Sequence, residues 1–177
     1  MVWTVGHSTR SIEDLVALLR AHRIATVADV RRYPASRRHP QFTREALAGA
    51  LAAAGLGYVH LEGLGGRRAT RPDSVNRGWR DAGFRGYADH MQTEAFDMHL
   101  RALLEEAHRA PTAILCAEAV PWRCHRRLIA DALVARGVEV RHIVGAGPAE
   151  AHALTPFARV AGGRVTYPGE PELFTTS

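Results

Sequence analysis

Ile24-Ala-Thr-Val-Ala-Asp-Val30 and Ala113-Ile-Leu-Cys-Ala117 are the two stretches that decide the fold. Both are short and nearly continuously apolar, and neither alternates polar with apolar residues. That is the pattern of strands buried on both faces, and such strands belong to parallel sheets covered by helices. Upstream, Val2 to Val5 reads as a further strand running into Gly6-His7-Ser8-Thr9. Ser11-Ile-Glu-Asp14 then opens a helix with a capping-box-like signal, and Ile12, Leu15, Val16, Leu18 and Leu19 give it an apolar face.

After Val30, the segment Arg32 to Gln41 has Pro34, Pro40 and several arginines without periodicity, and reads as a loop. Thr43 starts an alanine-rich helix that stops at Gly55, and Leu56 to Leu61 supplies a third strand. Gly63 to Gly86 holds six glycines and six arginines with no hydrophobic rhythm, so a long loop over the sheet edge is expected, of the kind that often serves as a lid. Thr93 to Arg109 is amphipathic through Phe96, Leu100, Leu103, Leu104 and Ala107. Pro121 is placed to begin a helix ending at Arg136 with Gly137 as its stop, and Val138 to Val144 is a fifth strand.

Ala149 to Val160 reads as helical despite Pro156, and Val165 to Tyr167 as a small extra strand. Strands alternating with helices predict one three-layer α/β domain over residues 1–167, a mainly parallel sheet of about five strands with helices on both faces. Residues 168–177 are expected to form a loose tail.

Composition narrows the chemistry. All 23 positive side chains are arginine, so Schiff-base chemistry and a Walker-type phosphate lysine are excluded. Between Arg31 and Arg85 there are 11 arginines against four acids, +7, while the remainder carries 12 against 14, −2. A GC-rich codon bias would raise arginine everywhere, whereas this segment holds the whole excess, which points to an anionic small molecule, nucleotide or nucleic acid as partner. Met1 to Thr9 is too short and polar for a secretory h-region and no window resembles a membrane span, so a cytoplasmic protein without a membrane partner is expected. Two cysteines in a reducing compartment are expected as free thiols.

In an open parallel sheet, ligands bind outside the carboxyl ends of the strands. The polar residues lie at those ends: His7 and Ser8 after strand one, Asp29 and Arg31 after strand two, His60 and Glu62 after strand three, Cys116 and Glu118 after strand four, His142 on strand five. Gly6-His7-Ser8, Asp29-Val30-Arg31 with Pro34, Ser36 and Arg37, Tyr58-x-His60-Leu61, Leu64-Gly65, Cys116-Ala117-Glu118 and Cys124-His125-Arg126 together resemble the domain of unknown function 488 family from about Thr4 to Ile143. The resemblance implies a fold and a set of motifs, without a reaction.

Cys124 is expected in the first turn of a helix, where free N–H groups and Arg123, His125 and Arg126 favour a thiolate nucleophile. The competing reading buries it with Leu128 and Ala135 as a small apolar residue. Glu118 is a candidate general base or an orienter of His7 or His125, with a salt bridge as the plainer alternative. His7 is either a general acid or base or a histidine bonded to backbone. Arg31, Arg37, Arg126, Ser8, Asp29 and Cys116 are expected to line the ligand, Cys116 otherwise being a buried structural thiol. A metal site of Cys116, Glu118, Cys124 and His125 can be drawn, but neighbours on a helix point about 100° apart, so no metal or cofactor is expected. Six residues separate Cys116 from Arg123, and Pro121 and Trp122 replace a glycine cradle, which disfavours a phosphatase loop.

Two functions remain open. One is an enzyme acting on a phosphate-bearing ligand through His7, Glu118, Cys124 and His125. The other is a non-catalytic nucleic-acid-binding module whose segment 31–85 contacts phosphates while Tyr33, Phe42, Trp79, Phe84 or Tyr87 stack on bases. A purely protein-interacting role has no positive support in the sequence.

Overall fold

The computed structural model describes residues 1–169. In chain order the elements are β1 (Val2–Gly6), α1 (Ile12–Ala21), β2 (Thr26–Asp29), α2 (Arg44–Ala53) and β3 (Gly57–His60). They continue with α3 (Ala82–His90), α4 (Glu94–Arg109), β4 (Thr112–Cys116), α5 (Arg126–Val134), β5 (Val140–Ile143) and the short β6 (Glu150–Ala151), β7 (Arg159–Ala161) and β8 (Arg164–Thr166). Capping sets the helix starts. Ser11 Oγ accepts from the Asp14 N–H at 3.0 Å and Thr93 Oγ1 from the Phe96 N–H at 3.2 Å, with acids in both first turns to suit the dipole.

The main sheet has the order β3-β2-β4-β1-β5-β6, parallel except for the antiparallel edge strand β6. Side chains alternate across it. Val5, Val27 and Leu115 pack on Leu15, Leu19, Leu47 and Leu51 of α1 and α2. Ala28, Ile114 and Cys116 belong to the opposite core with Leu100, Leu103 and Ile129 of α4 and α5. The expected three-layer arrangement is therefore present, with one short strand more. A separate hairpin pairs β7 with β8 through Gly162 and Gly163, both at positive φ, as a tight hairpin turn requires. Among the described residues no helix is long and apolar enough to cross a membrane.

Three local expectations need correction. First, α3 begins inside the segment read as loop and runs on to His90: Asp81 Oδ1 accepts from the Phe84 N–H at 2.9 Å and starts a helix that Gly83 and Gly86 had masked. Gly86 is needed for packing, since a Cβ there would come within 2.1 Å of the Arg68 carbonyl oxygen. The rest of the segment is tied down. Buried Asp89 accepts from Ser74 Oγ (2.6 Å), Asn76 Nδ2 (2.8 Å) and the Arg71 N–H (2.9 Å), and Asn76 Oδ1 accepts from the Tyr167 N–H (2.9 Å). Second, 149–160 is not helical; β6 pairs with β5 and Pro156 sits in an irregular stretch. Third, Pro121–Arg123 forms only a 3-10 turn, Cys124 is extended (φ −134°, ψ 147°), and α5 starts at Arg126. The expected tail falls largely on residues 170–177, outside those described.

Candidate functional site

The chain after β1 and β2 leaves toward α1 and α2, whereas the chain after β4, which lies between those strands, leaves toward α5 on the other face. This divergence is a topological switch point and opens a crevice at the carboxyl ends of β2, β4 and β1. Gly6 permits the close approach, because a Cβ would lie within 1.8 Å of the Glu118 carbonyl oxygen. The resulting cleft measures about 380 Å³, and its lining includes His7, Arg32, Tyr33, Arg67, Cys116, Glu118 and His125.

One wall is a buried ionic frame. Arg31, 7% exposed, donates from Nε and Nη2 to the two oxygens of Asp29 (2.9 and 2.6 Å) and from Nη1 to the Phe42 carbonyl (2.7 Å). Tyr58 donates its hydroxyl to Asp29 at 2.8 Å, and burial, reinforced by the carboxylate beside it, raises the phenol far above its usual range. His7 stacks on Phe42, donates from Nδ1 to the Ser8 carbonyl (2.9 Å) and presents Nε2 to Arg31 Nη1 (3.3 Å). Burial, seconded by Arg31, lowers its pKa to about 4, so it is neutral at pH 7. Asp29, Arg31 and His7 thus spend their polar atoms on one another. Ser8 sits at φ 50° and bonds through its backbone to Ala117.

The floor is a sulfur–imidazole cluster. His125 Nδ1 lies 3.9 Å from Cys116 Sγ and 3.7 Å from Cys124 Sγ, and its Nε2 lies 3.0 Å from the Val30 carbonyl. A carbonyl only accepts, so Nε2 carries a proton, and Nδ1 is the ring atom turned toward the sulfurs. The Cys124 thiol is held low, first by the neighbouring Cys116 S–H and then by His125 and Arg126. Cys116 is pushed up by that same hydrogen bond and by burial. Arg126, fully buried, donates from Nε to Cys124 Sγ at 3.4 Å and from Nη2 to the Glu118 carbonyl. Cys116 lines the cleft, while Cys124 lies behind it at 3% exposure in the apolar core.

The structure brings His7, Arg31, Cys116, Glu118 and His125 together at one cleft, with Asp29, Cys124 and Arg126 directly behind. Arg37 is exposed and does not line the cleft. His60 donates from Nε2 to the Arg31 carbonyl. The sequence did not single out the two rim arginines, Arg32 and Arg67, although Tyr33 beside them was named as a stacking residue. Arg32 donates to the Arg67 carbonyl (2.7 Å) and lies over the Tyr33 ring, which is 61% exposed. Gly66 runs over His125, with a would-be Cβ 3.0 Å from Nδ1. The Gly65-Gly66-Arg67 triplet inside the long loop was the available signal for this close backbone approach. A larger groove of about 850 Å³ follows the outer face of α4, but its Asp97 is already paired with Arg164, and no thiol or imidazole lines it.

His142 does not reach the cleft. It belongs to a chain in which Thr4 donates to His142 Nδ1 (2.7 Å), His142 Nε2 to His152 Nδ1 (2.9 Å), and His152 Nε2 to Asp131 (2.8 Å). Tyr167 closes it with a hydroxyl bond to Asp131 at 2.7 Å. Burial, then His152 and Arg126, lower the His142 pKa from 6.5 to about 4, while Asp131 opposes them. Protonation therefore favours the unfolded chain: the stability from neutral His142 is complete above pH 6.5 and is lost as pH falls toward 4. Denaturant titrations should show up to about 3 kcal/mol lost across this window. A His142→Gln variant should lose correspondingly less, and equal slopes would remove His142 from the account.

The fold and the site define a doubly wound α/β protein with a thiol and imidazole cluster under an arginine rim at the switch point. The chain belongs to the family described as domain of unknown function DUF488, whose model matches residues 11–133 and so spans α1 through most of α5. No curated protein and no solved structure matches it.

Proposed function

We propose that the protein is an enzyme acting on a small phosphate-bearing molecule, with the mononucleotide class as the best fit. The observation that carries the reading is a rim of cationic side chains standing over a sulfur–imidazole cluster in one cleft. Arg32 and Arg67 line that cleft as the anion holders, and no side-chain partner ties Arg67 among the described residues. Exposed Tyr33 offers a face for a base, and about 380 Å³ suits a small ligand and not a duplex. Cys116, Cys124 and His125 form the reacting centre, with Glu118 at its mouth.

The nucleic-acid-binding alternative loses its stacking platform. Phe42, Trp79 and Tyr87 are core residues and Phe84 is half-buried against Trp79, which leaves Tyr33 as the exposed one of these five aromatics. Several arginines of the basic segment also hold the chain in place: Arg68 donates to Gly65 and Glu62, and Arg85 to Trp79.

Calorimetric titration with phosphate, pyrophosphate and nucleoside monophosphates tests the reading. Arg32→Ala/Arg67→Ala should weaken binding at least about 150-fold, at about 1.5–3 kcal/mol per charge-assisted contact. Arg37→Ala should leave it unchanged. Equal affinity in all three proteins would reject the rim as the anion site.

A further inference from the structure

We propose that Cys116, Cys124 and His125 bind a zinc ion through two sulfurs and one imidazole nitrogen, with the fourth coordination position open to the cleft. The three donor atoms lie within 4.8 Å of one another, brought together from the end of β4 and the turn before α5. For zinc–sulfur bonds of about 2.3 Å and zinc–nitrogen bonds of about 2.0–2.1 Å, tetrahedral geometry sets sulfur–nitrogen edges near 3.5 Å. The observed sulfur–nitrogen edges are 3.7 and 3.9 Å, within a few tenths of an ångström of that value.

The objection that adjacent helical residues diverge does not apply here. Cys124 is extended and His125 only caps α5, and that break lets two consecutive side chains face one point. The outer shell is already built for a metal. The Nε2–H to Val30 carbonyl bond fixes the imidazole with Nδ1 as the donor, the arrangement that orients metal-bound histidines. Arg126 Nε–H points at Cys124 Sγ, as a donor supporting a ligating thiolate does. Two thiolates and one imidazole are borderline-soft donors that suit zinc and disfavour magnesium or calcium.

Cys116 and His125 both border the cleft, so the open position faces the space assigned to the phosphate-bearing ligand. There a zinc ion polarises a phosphoryl oxygen or lowers the pKa of a bound water. The metal site does not depend on the phosphate reading, and the two are tested by different measurements.

The test is metal analysis of the full chain under reducing conditions, with cobalt(II) as a spectroscopic probe. The expected result is one zinc per chain retained through dialysis, and cobalt spectra with thiolate charge transfer and intense tetrahedral visible bands. Cys116→Ala, Cys124→Ala and His125→Ala should each weaken zinc binding by more than about 100-fold, beyond the usual cost of an outer-shell change. Because the Cys124 variant could misfold, circular dichroism accompanies each, and Cys116→Ala at the cleft wall is the decisive variant. A folded wild-type chain with both thiols freely titratable in the presence of zinc would overturn the proposal. So would zinc binding indifferent to Cys116→Ala and His125→Ala.

Discussion

Asp29→Ala should cost the fold roughly 3–5 kcal/mol, the penalty for leaving one partner of a buried ion pair uncompensated. Arg31 is 7% exposed and its Nε and Nη2 both terminate on Asp29. Removing the carboxylate leaves a buried guanidinium with the Phe42 carbonyl and a neutral imidazole as its remaining neighbours, and leaves the Tyr58 hydroxyl without its acceptor. The effect also reaches the cleft, since Arg31 holds His7 against Phe42 at the cleft wall. Urea denaturation of Asp29→Ala, Arg31→Met and the double variant measures this directly. The double variant should recover much of the loss, because it removes the charge together with its partner. A single-variant cost below about 1 kcal/mol would mean that the pair is solvated.

Cys116→Ala and His125→Ala should each reduce turnover of a phosphate-bearing substrate by on the order of 1000-fold or more, as loss of a reacting group in a concerted site does. Ligand affinity should fall far less than turnover, because the rim arginines are untouched. Cys116 is the informative sulfur, since it borders the cleft while Cys124 lies behind it. Steady-state turnover paired with calorimetry separates the two effects. Turnover surviving in both variants would make the cleft a binding site whose chemistry lies elsewhere.

The three-layer arrangement and the end of the sheet where the cleft opens were legible from hydrophobic runs and from polar residues at strand ends. Those signals are local, and parallel connectivity forces the strand ends together. Which residues line the cleft was not legible. Arg31 and Arg37 look alike in sequence, but Asp29 two residues before Arg31 captures its guanidinium, while Arg37 stays outside the cleft. Arg32 and Arg67 meet across a separation of 35 residues that no spacing rule spans. The break at Cys124 was hidden because Pro121 reads equally well as the start of a helix and of a 3-10 turn. The histidine chain from Thr4 to Asp131 joins residues up to 138 positions apart, which only the packed fold reveals.

A crystal structure with a nucleoside monophosphate bound would test the central claim most directly. The account predicts the phosphate between Arg32 and Arg67, over Cys116 and His125, with the base near Tyr33. A phosphate held instead on the α4 groove near Arg101 and Arg164, or at Arg37, would contradict it.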